Sequence, residues 1–184
     1  MPTVAFNQLP DHARVWIFAS DRPLLGDEAK LLLDEVDAFL GQWKAHGAPL
    51  RSAREWRDDR FLVIGVDTTA EQASGCSIDG LFRGLQQLEQ RLGTGLVAGG
   101  RVFYRDATGV TKLALRAELR TLFERGEISA TSPVFDTSIM DARAWRERFE
   151  RPAHDTWVGT LLSPPQASQS SSRSDTNASS VRKG

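Results

Sequence analysis

The apolar positions of this chain switch between a helical and an extended period. From Asp27 to about Lys44, the residues Ala29, Leu32, Leu33, Val36, Phe39, Leu40 and Trp43 recur at spacings of three and four, which makes one stripe of an amphipathic helix. Asp27 and Glu28 fall in its first turn, where they complement the helix dipole, and Gly47 followed by Pro49 ends it. A second stripe, Ile78, Leu81, Phe82, Leu85, Leu88 and Leu92, predicts a helix from about Ser77 to Leu92 with Gly93 as its stop. A shorter helix is predicted from about Arg116 to Arg125, with Leu119, Leu122 and Phe123 inward and Gly126 beyond.

Extended segments fill the gaps. Residues 14–20 (RVWIFAS) are aromatic and β-branched. Residues 60–67 (RFLVIGVD) form a nearly unbroken apolar run, the pattern of a strand covered on both faces. Residues 51–57 are expected to pair with it through a turn at Asp58 and Asp59. Residues 101–105 and 110–115 flank a hairpin turn at Asp106–Gly109. The order β-α-β-β-α-β-β-α predicts an α/β (α+β) domain. Its first six elements match a two-layer, ferredoxin-like β-α-β-β-α-β plan, extended by a C-terminal hairpin strand and helix. A different mixed-sheet sandwich is the alternative.

The 184 residues suit one domain over 1–162. From Ser163 onward the Ser-rich sequence holds one large apolar residue, Val181, so disorder is expected over 163–184. This tail carries a charge of +2 against −3 for the body, and the total of −1 argues against a general nucleic-acid binder. No apolar run reaches the roughly 18 residues of a membrane-spanning helix. The N-terminal residues lack a basic segment followed by an apolar one, so a cytoplasmic location is expected. Cys76 is the single cysteine, which excludes an internal disulfide and a multi-thiolate zinc site. His12, His46 and His154 have no partner at helical ligand spacing, so neither metal nor cofactor is expected.

One segment carries candidate chemistry. In ASGCSID (73–79), Cys76 falls at the mouth of the second helix, where the dipole and free N–H groups stabilise a thiolate. The same N–H groups could hold an anion, with Ser74, Gly75, Ser77 and Asp79 as ligand-binding residues. A thiol nucleophile needs a base. His46, away from both chain ends, is the nominee, with Asp67 or Asp79 to orient it. The plainer reading makes Ser74 or Ser77 a helix cap, Gly75 a turn residue and Cys76 a small buried filler. Arg51, Arg54, Arg57 and Arg60, spaced by three, read as a solvated strand edge, and Trp145 with Phe149 are expected to dock onto the body.

Four segments taken together, FNQLPDHARVWIFASDRPL (6–24), WKAHGAPL (43–50), ASGCSID (73–79) and GEISATSPVFD (126–136), resemble a small uncharacterised bacterial family, largely of Bacteroidetes and neighbouring groups. Its members often carry the label "ABC transporter ATPase". The resemblance covers about residues 4 to 160 and implies a common fold without a chemistry. The label itself requires a G-x-x-x-x-G-K-[ST] phosphate loop. None of the four lysines, Lys30, Lys44, Lys112 and Lys183, follows one. The expected function is therefore a non-catalytic domain that binds a small ligand or a partner protein, with neither nucleic acid nor a membrane as partner. A small enzyme using Cys76 with His46, or a homodimerisation module, is the alternative.

Overall fold

The first strand, β1 (Arg14–Ala19), leads into α1 (Gly26–Gln42) and a short hairpin of β2 (Lys44–Ala45) and β3 (Ala48–Pro49). Strands β4 (Ser52–Arg57) and β5 (Phe61–Val66) follow, then α2 (Gly75–Leu92). The computed structural model describes residues 4–69, 73–97 and 99–162; the tail from Ser163 lies outside the described residues.

These elements build a three-stranded antiparallel sheet in the order β1-β5-β4. β5 runs between its neighbours, with Trp16 opposite Ile64 on one side and Arg54 opposite Ile64 on the other. The turn into β5 is closed by the Arg60 N–H donating to the Arg57 carbonyl at 3.1 Å. Asp58 and Asp59 both take positive φ there, 56° and 53°. Paired left-handed residues give the turn a twist that matches the strands, and Asp tolerates that region better than most side chains.

All six residues of β5 are buried. Leu62, Ile64 and Val66 face the helices, where they meet Leu32, Val36 and Leu40 of α1 and Leu81, Leu85 and Leu88 of α2. Phe61 and Val63 face the other way, and a second sheet covers them. That sheet is built from β6 (Arg101–Arg105), β7 (Thr111–Leu115), β8 (Pro133–Phe135) and β9 (Glu150–Pro152), in the order β7-β6-β8-β9. Between its strands lie α3 (Leu119–Glu124) and α4 (Ala142–Arg148), and α5 (Trp157–Leu162) follows it. The ring of Phe61 sits 5.2 Å from Phe103, 4.7 Å from Phe135 and 5.0 Å from Phe149. The outer face of the second sheet, Val102, Tyr104, Ala114 and Val134, packs on Leu119 of α3 and Val158 of α5. Helices, sheet, sheet and helices are thus stacked in layers.

Mixed α+β character agrees with the sequence reading, and the helix–strand order follows it as far as α3 apart from the inserted β2–β3 hairpin; β8, α4, β9 and α5 are additional. The sheet orders do not show the ferredoxin-like plan. In that plan the strand after the second helix lines the free edge of β1, whereas β6 pairs with β7 and β8 in the second sheet. The physical reason is the lower face of β5. Stacking a second sheet buries Phe61 and Val63, while pairing at an edge would leave that face bare. α1 and α2 begin one and two residues before their expected starts, and α3 begins three residues after its own because Arg116–Glu118 form a 3-10 turn.

The arginine run is resolved by strand geometry rather than by solvation. On a strand, a spacing of three puts successive side chains on opposite faces. Arg54 pairs with Asp37 of α1 at 2.6 Å, and Arg57 pairs with Glu150 of β9 at 2.7 Å. Arg60 is buried and donates to the carbonyls of Ser20 and Asp21. Arg105 completes the link between sheets by donating to both Glu150 and Asp58. Trp145 and Phe149 dock onto the body, both nearly fully buried.

Gly65 admits the N-terminal segment. A methyl group there would overlap the Leu9 side chain and press on Phe6. Gly65→Ala is therefore expected to lower the unfolding free energy by about 1–3 kcal/mol. Gly84→Ala, on the open face of α2, meets nothing within 4 Å. It is expected to raise stability by up to about 1 kcal/mol. Urea denaturation of both variants reads the two signs.

Candidate functional site

The ASGCSID segment forms the start of α2. Ser74 is the cap: its side-chain oxygen accepts from the Ser77 N–H at 3.3 Å, and the Ser77 hydroxyl donates back to the Ser74 carbonyl at 2.9 Å. Gly75 and Cys76 are the first two helical residues, both exposed. The buried-filler reading of Cys76 is corrected: its thiol faces solvent. Asp79, one turn further on, is exposed as well.

His46 sits at the tip of the β2–β3 hairpin with φ 51°, followed by Gly47 with φ 86°. A two-residue turn with both φ angles positive explains this position locally. The hairpin departs next to α2, because the indole N–H of Trp43 donates to the Ser77 carbonyl at 3.1 Å. No hydrogen bond or ion pair joins His46 to Cys76 among the described residues.

Asp67 is engaged elsewhere. Its side chain is 10% exposed, and one oxygen accepts from the Thr69 hydroxyl at 2.6 Å and the Thr69 N–H at 3.0 Å. The other accepts from Arg51 at 2.9 Å. His12 reaches Thr69 at 3.0 Å and lies 3.9 Å from Asp67. The Thr69 hydrogen bonds, followed by Arg51, hold the Asp67 carboxyl below the usual carboxylate range. The same D-x-[ST] turn recurs at Asp106 with Thr108 and at Asp136 with Ser138, each one residue past a strand. Its first role is to close a strand end. Sequence reasoning left His12 out of this cluster because its partners come from residues more than fifty positions away.

A third place is the outer edge of β1. Val15, Ile17 and Ala19 point their backbone groups away from β5. The Val15 N–H donates to the Met140 carbonyl at 2.9 Å, and the Ala19 N–H donates to the Leu96 carbonyl at 3.2 Å. Between them, the N–H and C=O of Ile17 make no hydrogen bond to another described residue. They open into a groove of about 290 Å³ walled by Trp16, Phe18, Phe82, Val97, Ile139 and Met140. Met140 is 72% exposed. Arg14 lines the same groove with its guanidinium 4.6 Å above the Trp16 ring. A backbone donor and acceptor side by side in an apolar cleft can pair with an amide and bury the group that carries it. A groove between α1 and α2, about 210 Å³ around Phe39 and Leu85, offers no such groups, because helix backbones are bonded internally.

Residues 14–20 read correctly as a strand, but nothing local marks which strand becomes an edge. Among the described residues, no cluster of three or more His, Cys, Asp or Glu could hold a metal ion, and no helix is long and apolar enough to cross a membrane. The chain matches no protein-family model, no curated protein and no solved structure.

Two outcomes follow from these geometries. Asp67 has a folded pKa below its unfolded value of about 3.9. Its contribution is therefore present above the unfolded value and lost as pH falls through the folded one. Asp67→Asn is expected to be less stable at neutral pH and to show a flatter decline below about pH 4, measured by urea denaturation across the acid range. Cys76 is expected to react with iodoacetamide in the folded protein as an exposed thiol does. Labelling that waits for unfolding contradicts this exposure.

Proposed function

We propose that the protein is a non-catalytic binding domain whose ligand is an apolar group bearing a peptide-like amide, docked on the open stretch of β1. The observation that carries this reading is the donor–acceptor pair of Ile17 inside an apolar groove, unbonded among the described residues. A strand edge is a template for pairing, and its backbone groups supply affinity while the walls supply selection. Membership of the bacterial family that the four motifs resemble is part of the same proposal and adds no chemistry to it.

The exposed thiol of Cys76 favours a second reading, a thiol-dependent enzyme with His46 as base and Ser74, Gly75, Ser77 and Asp79 around the substrate. The N–H groups of Gly75 and Cys76 have no acceptor among the described residues, which leaves them available to an anion. A homodimer formed through the β1 edge is the third reading, and it predicts a mass that rises with concentration.

Thermal shift with pooled apolar peptides separates them. A ligand that binds only the native state raises stability by RT ln(1 + [L]/Kd). The shift is expected in the wild type and lost in Met140→Asp, which places a carboxylate on the groove wall. A shift of equal size in Met140→Asp moves the site elsewhere, and its loss in Cys76→Ala favours the thiol reading.

A further inference from the structure

We infer that the occupant of the β1 groove is the C-terminus of another protein, apolar up to its last residue, with its free carboxylate on Arg14. This inference rests on the binding site proposed above and adds the chemistry that selects the ligand. Three observations carry it.

The first is the charge at one end of the groove. Arg14 lines it and forms no ion pair with a carboxylate of the described residues, whereas Arg51, Arg54, Arg57 and Arg105 all do. Its guanidinium is stacked on Trp16, which holds the planar donor fork in place without consuming its hydrogen bonds. A carboxylate is the planar acceptor that such a fork matches.

The second is the length of the opening. It is bounded by the Val15–Met140 and Ala19–Leu96 hydrogen bonds, four residue steps apart. At about 3.3 Å per step, the gap is roughly 13 Å long. A strand passing through would collide with the segments that close both ends. A chain that terminates in the gap has only the Ala19 end to clear.

The third is direction. The outer edge of β1 already takes an antiparallel bridge at Arg14–Asp141, and antiparallel pairing lets a single residue exchange both bonds with Ile17. A chain antiparallel to β1 runs from the Ala19 end towards the Arg14 end. Its last residue therefore arrives beside the free guanidinium. Its side chains alternate between the wall of Trp16, Phe18 and Phe82 and the wall of Ile139 and Met140.

The test uses the full chain and two pools of pentapeptides randomised over apolar residues and labelled with fluorescein at the N-terminus, one as free acids and one as C-terminal amides. Binding is read by fluorescence polarisation and by the Ile17 amide resonance. The free acids are expected to bind at least about tenfold more tightly than the amides, the yield of one charge-assisted hydrogen bond. Arg14→Gln is expected to abolish that difference while Ile17 still shifts. Equal binding of acids and amides, with Ile17 shifting in both, overturns the carboxylate inference and leaves the groove as the site. A preference for acids that survives Arg14→Gln overturns the role of Arg14. If neither pool moves the Ile17 resonance, the inference and the proposed site fall together. Arg14 is exposed, and Arg14→Lys, which keeps the charge and loses the planar fork, checks that a weakened variant has not lost its fold.

Discussion

A strand that is apolar on both faces has to be covered twice, and β5 imposes that condition on this protein. Its six residues are all buried, with Leu62, Ile64 and Val66 against two helices and Phe61 and Val63 against a second sheet. Phe61 touches Phe103, Phe135 and Phe149, which come from β6, β8 and the end of α4. Three distant segments of the chain are thereby held by one side chain. Gly65 belongs to the same constraint, because the missing side chain lets Phe6 and Leu9 close over the rest of that face.

Charged groups join the layers that the apolar groups stack. Arg54 reaches the helix layer, and Arg57 and Arg105 meet Glu150 between the two sheets. The hydrogen bond to Glu150 is the main reason that the Arg105 guanidinium is held above its ordinary pKa. Partly exposed pairs of this kind add little stability singly, but here one carboxylate serves two guanidinium groups and fixes how the sheets sit on each other. Arg105 and Arg57 also lie over the rings of Phe135 and Phe149, so the ionic link and the aromatic cluster share a boundary.

Sending β6 to the second sheet has a consequence for β1. Among the described residues, its outer edge is closed at its ends, by short contacts from Leu96 and Met140. The open stretch at Ile17 follows from the layered architecture, since among the described residues no named strand pairs with that edge. Backbone groups left open beside Trp16, Phe82 and Met140 make this edge the place where the fold and the proposed binding chemistry meet.

Local pattern was enough for the elements with a strong period. The stripes of α1 and α2, the apolar run of β5 and the hairpin at Asp106–Gly109 all stand where the sequence predicts them, because each depends on neighbours within a few residues. Strands β8 and β9 are three residues long, and α5 has six, too short to show a period. The Ser74 cap was legible for the same local reason, whereas the exposure of Cys76 was not. Tertiary structure alone decided which strands share a sheet, that His12 rather than His46 lies beside Asp67, and that Arg14 and Ile17 share a groove. Those outcomes depend on which faces remain uncovered once distant segments meet. Sequence by itself determined the elements with a strong period; the need to bury both faces of β5 determined their arrangement and, among the described residues, left the middle of the β1 edge open.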